Sequence, residues 1–360
     1  MTIPTLNIRE ACNKANQKMA NKHSPFIFNE WYVAAFSHEI KHELFSRKLL
    51  NKKVVLYRST DGEVVALQDR CAHRSFPLSK STLDGDEIIC GYHGIRYDKS
   101  GDMIEIPSQK RCPHGMGIKK YATLEKGGLI WIWLGDQSRA DASKLFDLEW
   151  LDHEQWTSSQ GYFLHPGNYV SMHENLMDLT HLSFLHSDTI GTPDFATAPY
   201  KTELNHGHYK LIREVVPTVL APVWADSTDI GYVDTAARIT TSEFLSPALH
   251  QVSAKFYDTA LGEDAHIYQI RTAHILTPET NGTMHYFIVH GRNFAQEDKV
   301  LGEKMHRGLF AAFEEDVIGL GALETMLDDL EDDHFEMSIA SDSAAIATRI
   351  YLKERAEQEQ

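Results

Sequence analysis

Two short segments each offer one thiolate and one imidazole: Cys71-Ala72-His73 and Cys90-Gly91-Tyr92-His93. Metals sort their ligands by softness. A structural zinc site usually draws Cys pairs and His pairs from separate segments. Mixed loops suit a binuclear iron–sulfur cluster, with both sulfurs on one iron and both imidazoles on the other, a division that raises the reduction potential. Gly91 and Gly94 leave room for backbone amides to approach the sulfides. A zinc knuckle or a chance spacing are the competing readings.

A second constellation is Asn175-Leu-Met-Asp178-Leu-Thr-His181-Leu-Ser-Phe-Leu-His186. On one continuous helix Asp178 and His181 share a face, with Asn175 one turn back. His186 would stand about 140° round from His181, so the two imidazoles converge on one ion only if the helix ends or distorts. By default His181 is a packed or solvated helix-face residue. Two imidazoles need a third protein ligand for a facial triad with open positions. In the helical stretch 303–327, Met305, Leu309, Phe313, Val317 and Leu320 form an apolar stripe, and Asp316 points with it. An unpaired carboxylate there is costly; a metal, an Arg or a helix dipole would relieve it. Glu315 turns away from the stripe and Glu314 is intermediate. Asp328, Asp329, Glu331, Asp332 and Asp333 read as a solvated charged face. His274, in a presumed strand, is a candidate for the substrate pocket. Cys12 and Cys112 have no partner motif and read as free thiols, and His114, His285 and His290 are, with His274, harder to dismiss than the other histidines.

These residues need elements to hold them. The first half reads as β: strands at 53–58 and 64–68 flank the turn Asp61-Gly62, and another runs over 128–134. A polar stretch near 136–147 marks a boundary. Beyond it the pattern predicts a helix at 171–183, strands near 208–216, 235–245, 249–257, 265–276 and 283–293, and closing helices near 300–330 and 342–357. The fold class is α+β, with an N-terminal extension at 1–26, an all-β domain at 27–147 and a mixed domain of helices and strands at 148–360. The 360 residues are 42% hydrophobic and 24% charged, an ordinary globular balance that excludes fibrous and disordered classes. A net charge of −16 disfavours a nucleic-acid partner. No apolar run is long enough to span a bilayer, the N-terminus lacks a secretory pattern, and four cysteines do not make a disulfide scaffold. The expected compartment is the cytoplasm.

The stretch Cys71-Ala-His-Arg-Ser-Phe-Pro-Leu-Ser…Cys90-Gly-Tyr-His-Gly resembles the Rieske domain of Rieske non-haem iron oxygenases. Respiratory Rieske proteins carry an extra Cys in each loop; here that region holds Ser75, Phe76, Gly94 and Ile95. The motif from Asn175 to His186 resembles the family's catalytic-domain motif, and Phe313-Glu-Glu-Asp316 sits where the dicamba and vanillate demethylase branch has its carboxylate ligand. The resemblance implies an N-terminal Rieske domain and a helix-grip catalytic domain, an antiparallel sheet with helices. It implies a [2Fe–2S] cluster on Cys71, His73, Cys90 and His93, and mononuclear Fe(II) on His181, His186 and Asp316. O2 would be co-substrate, and NAD(P)H would act through a separate reductase or ferredoxin donor. Family members form head-to-tail homotrimers. Carried over, His93 of one subunit would hydrogen-bond Asp178 of the next, and Asp178 would bond His181, so Asp178 and Asn175 are the candidate catalytic residues.

The resemblance points to a terminal oxygenase that hydroxylates or O-demethylates an aromatic acid. Ring hydroxylation and N-demethylation of another small molecule remain alternatives. A Rieske electron carrier is a further class, but it would leave His181, His186 and Asp316 without a purpose.

Overall fold

The computed structural model describes residues 10, 14, 25–113, 115–328 and 336–360. The expected extension at 1–26 lies almost wholly outside these residues, as do Cys12, His114 and the charged run at 329–333. The chain divides into two compact units. One is Phe28–Asp147 with Thr277–Thr280; the other is built on Leu148–Leu276 and Asn281–Gln360.

The smaller unit is all β. Its strands are β1 (Trp31–Phe36), β2 (Phe45–Leu49), β3 (Lys52–Arg58), β4 (Val64–Gln68), β5 (Thr82–Asp84), β6 (Glu87–Ile89), β7 (Arg96–Tyr97), β8 (Met103–Glu105), β9 (Lys120–Lys126) and β10 (Leu129–Trp133). A six-stranded sheet runs β1-β10-β9-β4-β3-β2, and a four-stranded one runs β5-β6-β7-β8. Gly62 turns the β3–β4 hairpin at φ +90°, a conformation open to a residue without Cβ. Val55, Tyr57, Val65 and Leu67 pack with Leu78, Ile88 and Tyr97, and this core includes Cys71 and Cys90.

The larger unit carries one antiparallel sheet made of β11 (Thr157–His165), β12 (Tyr200–Asn205), β13 (His208–Thr218), β14 (Ala236–Ser246), β15 (Leu249–Asp258), β16 (Tyr268–Thr280) and β17 (Thr283–Arg292). The order is β11-β17-β16-β15-β14-β13-β12. Its longer helices are α1 (Tyr169–Met177), α2 (Lys299–Asp328) and α3 (Ser343–Glu357). Side chains alternate along a strand, so Arg238, Thr240 and Ser242 of β14 share one face. Register sets Thr240 against Ala254, Val252 against Thr272 and His250 against His274.

A polar seam pins α1 to this sheet. Ser242 Oγ donates to the Leu176 carbonyl and accepts from His250 Nε2, each at 2.6 Å. His173 Nε2 donates to the Pro247 carbonyl at 3.0 Å, and its ring lies against Phe244. Burial brings His173 down to about 4 and, on β17, His290 to about 3. Both are therefore neutral in the fold, whereas the unfolded chain protonates them near pH 6.5. The unfolded state binds more protons below that point, so their contribution is intact above pH 6.5 and is lost as pH falls. The expected loss is roughly 2 kcal/mol per such histidine between pH 6.5 and pH 5. Chemical-denaturation midpoints at pH 7.5, 6.5 and 5 measure it, and a flat series would contradict the neutral assignment.

Candidate metal centres

The two Cys–His loops have the same construction. Cys71 N donates to Phe76 O at 2.8 Å and Ser75 N to Cys71 O at 3.0 Å; Cys90 N donates to Ile95 O at 2.8 Å and Gly94 N to Cys90 O at 2.9 Å. Ser75 and Gly94 occupy equivalent left-handed positions, at φ +58° and +71°. The equivalent turns leave each sulfur buried and each imidazole exposed, with the His73 and His93 ring centres 4.6 Å apart. The Tyr97 hydroxyl lies 3.2 Å from Cys71 Sγ and accepts from Ala72 N at 3.0 Å. Burial opposes ionisation of Cys71, but the Tyr97 hydroxyl and the amides of His73 and Arg74 outweigh it and hold this thiol below its ordinary range. Burial pushes the Cys90 thiol up. A buried soft pair beside an exposed nitrogen pair fits a [2Fe–2S] cluster with unlike irons.

In the larger unit, His181, His186 and Asp316 bring their ligand atoms within 4.8 Å of one another. The helix predicted over 171–183 ends early. Asn168 caps α1 through Val170 N, and the chain turns extended at Asp178 (φ −120°, ψ 101°) before a 3-10 turn at Leu179–Ser183. This break meets the condition that the two histidines converge. The segment after His186 folds back tightly: a Cβ on Gly191 would lie 1.6 Å from the Leu182 carbonyl oxygen.

Asp316 arrives from α2 on the stripe Met305, Leu309, Phe313 and Leu320, all buried. His186 Nε2 lies 3.1 Å and His181 Nε2 3.7 Å from Asp316 Oδ1. Donors about 2.1 Å from one cation and at right angles stand about 3 Å apart. The other nitrogen of each ring is held: His181 Nδ1 donates to the Asp178 carbonyl, and His186 Nδ1 to Glu315 Oε2 at 2.7 Å. Each Nε2 is thereby left to bind a cation. Burial lowers His181 and keeps it neutral. Asp316 stays ionised although burial opposes this, because the hydrogen bond and the charge of His186 outweigh the burial. His186 is raised despite burial by Asp316 and then Glu315; a divalent ion between these groups would replace that proton. Two imidazoles and one carboxylate on a single face suit iron(II) with open positions.

Several expectations need correction. The Asp178 carboxylate does not reach His181. It caps the 3-10 turn, accepting from Thr180 N at 3.0 Å and Thr180 Oγ1 at 2.7 Å, and the main-chain carbonyl takes the His181 contact instead. Glu315, expected to turn away, is half-buried and reaches back to His186, steadied by Thr189 Oγ1 at 2.8 Å; Glu314 is the exposed one. A helical wheel follows Cβ directions and misses the reach of a long side chain. Asn175 donates to Asp316 Oδ1 at 2.9 Å, so it positions the carboxylate. His274 lines the cavity beside the three ligands, with Nδ1 bound to the Tyr286 hydroxyl and burial lowering it to about 4. Cys112 is a free, half-buried thiol.

Removing the acceptor on His186 tests this arrangement. Glu315→Ala is expected to weaken retention of the mononuclear metal about 10- to 100-fold and to leave the cluster spectrum unchanged. Iron content against chelator concentration reads the first, visible absorbance the second.

Residues 30–122 match the model of the Rieske [2Fe–2S] domain. Residues 166–358 match that of the vanillate O-demethylase oxygenase C-terminal domain. The chain is 36% identical over 323 residues to the toluene-4-sulfonate monooxygenase system iron-sulfur subunit of Comamonas testosteroni, covering 85% of this chain and 90% of the relative. It is 32% identical to the vanillate O-demethylase oxygenase subunit of Pseudomonas sp. (strain HR199 / DSM 7063), covering 81% and 84%. Among solved structures, dicamba monooxygenase bound to 3,6-dichlorosalicylic acid matches with a TM-score of 0.88 at 25% identity, over 93% of this chain and 99% of that one. The same enzyme with non-heme iron and dicamba matches at 0.79.

Proposed function

The chain belongs to the Rieske non-haem iron oxygenases, as an iron-dependent monooxygenase component related to the vanillate and dicamba O-demethylases, and we propose that it oxidises a methyl or methoxy carbon of an aromatic acid. The observation that carries this reading is the His181–His186–Asp316 grouping in the lining of a largely apolar cavity. An electron carrier would have no use for it. Three relatives are named for toluene-4-sulfonate, vanillate and dicamba, which supports a small aromatic substrate.

In this reading Cys71, Cys90, His73 and His93 hold the [2Fe–2S] cluster, and His181, His186 and Asp316 hold Fe(II). When bound, the cluster relays single electrons and the mononuclear iron activates dioxygen at its open positions. Asn175 fixes the carboxylate, and Glu315 and the Asp178 carbonyl fix the two rings. Leu309 and Phe313 present apolar walls that hold a ring and exclude water. For a methoxy substrate the balance is one O2, two electrons and two protons. One oxygen atom enters the C–H bond and the other leaves as water; the hemiacetal then releases formaldehyde and the phenol. The electrons come from NAD(P)H through a separate reductase or ferredoxin in the cytoplasm.

We take the working assembly to be a homotrimer in which His93 of one subunit meets Asp178 of the next. The exposure of His93 and the half-buried position of Asp178 support this. Among the described residues no helix is long and apolar enough to cross a membrane.

Purified holoprotein is expected to hold one iron per chain beyond the two of the cluster. With a reductase and a methoxybenzoate it should take up O2 and release formaldehyde in equal amounts. Zinc in place of iron, or O2 uptake without any oxidised product across methyl- and methoxy-substituted acids, would overturn the reading. Asp178→Asn keeps the cap on Thr180 and the main-chain contact to His181, so both metals should stay bound while coupled turnover falls roughly 10- to 100-fold through loss of the carboxylate that meets His93 of the next subunit. Rapid mixing of the reduced protein with O2 and substrate follows cluster oxidation, and an unchanged product yield would remove the bridging role.

A further inference from the structure

The cavity beside the candidate iron ligands contains a cation. Arg238, on the inward face of β14, lines it together with Thr240 and Thr272 and is only 4% exposed. Nη1 donates to the Ile190 carbonyl at 2.7 Å and Nε to Thr240 Oγ1 at 3.2 Å. The guanidinium lies over the Phe195 ring, 4.6 Å from its centre. Nη2 donates to none of the described residues, yet it is not among the nitrogens sealed off without a partner. Arg213, as deeply buried, differs: its Nη1 goes to three carbonyls, its Nε and Nη2 are sealed off without a partner, and it does not line the cavity.

Burial lowers Arg238 to about 10, with Asp194 opposing, so the group is charged at neutral pH. Asp194 makes no ion pair with it and accepts from Thr218 Oγ1 at 2.7 Å. A buried charge without a paired counter-charge is strongly unfavourable. The planar guanidinium fork matches a carboxylate or sulfonate, whose oxygens can take two parallel hydrogen bonds.

We propose that Arg238 is the specificity-determining anchor for the anionic group of the substrate, an arylcarboxylate or arylsulfonate, whose ring then lies along the apolar walls toward His181, His186 and Asp316. The inference deepens the aromatic-acid reading and rests on it for the choice of ring. Thr240 steadies the fork through Nε and the Phe195 ring lies against the guanidinium, so the cation is held in place before the ligand arrives.

The test is calorimetric binding of 4-methoxybenzoate, 4-methoxybenzenesulfonate and neutral 4-methoxybenzamide to anaerobic holoenzyme, in the native chain, Arg238→Gln and Arg238→Lys. The native protein should prefer at least one of the anions over the amide. Arg238→Gln should weaken that anion roughly 10- to 100-fold, the scale of a charge-assisted hydrogen bond, and change the amide less than about threefold. Arg238→Lys keeps the charge without the fork and should fall between; it carries the test if the Gln variant loses its cluster absorbance. An unaltered anion preference in the variants, or a native protein that does not prefer either anion, overturns the proposal. Anions that bind through Arg238 and yield no formaldehyde or other oxidised product would leave the anchor standing and overturn the O-demethylation reading instead.

Discussion

An imidazole binds a cation only through a bare nitrogen, so the larger unit depends on the hydrogen bonds that occupy the opposite nitrogen of His181 and His186. A main-chain carbonyl does this for the first ring and a carboxylate for the second. The difference matters electrostatically. The carbonyl orients without adding charge, whereas Glu315 makes its imidazole a stronger donor. With Asp316 ionised, the site carries negative charge that a divalent ion would compensate.

That chemistry is available because α1 stops where it does. A continuous helix through 171–183 would have turned the two imidazoles apart. The extended residue at Asp178 resets the chain direction, its own side chain caps the next turn, and Gly191 lets the return segment touch the Leu182 carbonyl. One residue therefore ends a helix, begins another turn and orients a ligand. The seam through Ser242 and His250 holds α1 against the sheet, so the break stays fixed relative to the strands beneath it.

Much of this was legible from residue type and spacing. The paired Cys–His loops are short-range features whose chemistry survives without tertiary detail, and the stripe on α2 placed Asp316 inward because helical periodicity is strict over 30 residues. Sequence logic was weaker where a single backbone angle decides, as at Asp178, and where a long side chain bends back, as at Glu315. Several strands escaped notice for compositional reasons. β1 is apolar throughout and buried on both faces, which periodicity cannot separate from a short helix. β11 begins with Thr157, Ser158, Ser159 and Gln160 and contains Gly161, so it carries little alternation. Arg238 was invisible for another reason: nothing in a strand pattern reveals that an inward-facing cation lacks a counter-charge.

Helix α2 supplies two different things from one rigid body, Leu309 and Phe313 to the cavity wall and Asp316 to the ligand set. A helix yields to pressure by small collective tilts and shifts rather than residue by residue. Phe313, Asp316 and Glu315, which holds His186, therefore lie within one turn of a single rigid element. The surface that would meet a substrate ring and the carboxylate offered to a metal thus share one backbone, so neither can be placed independently of the other.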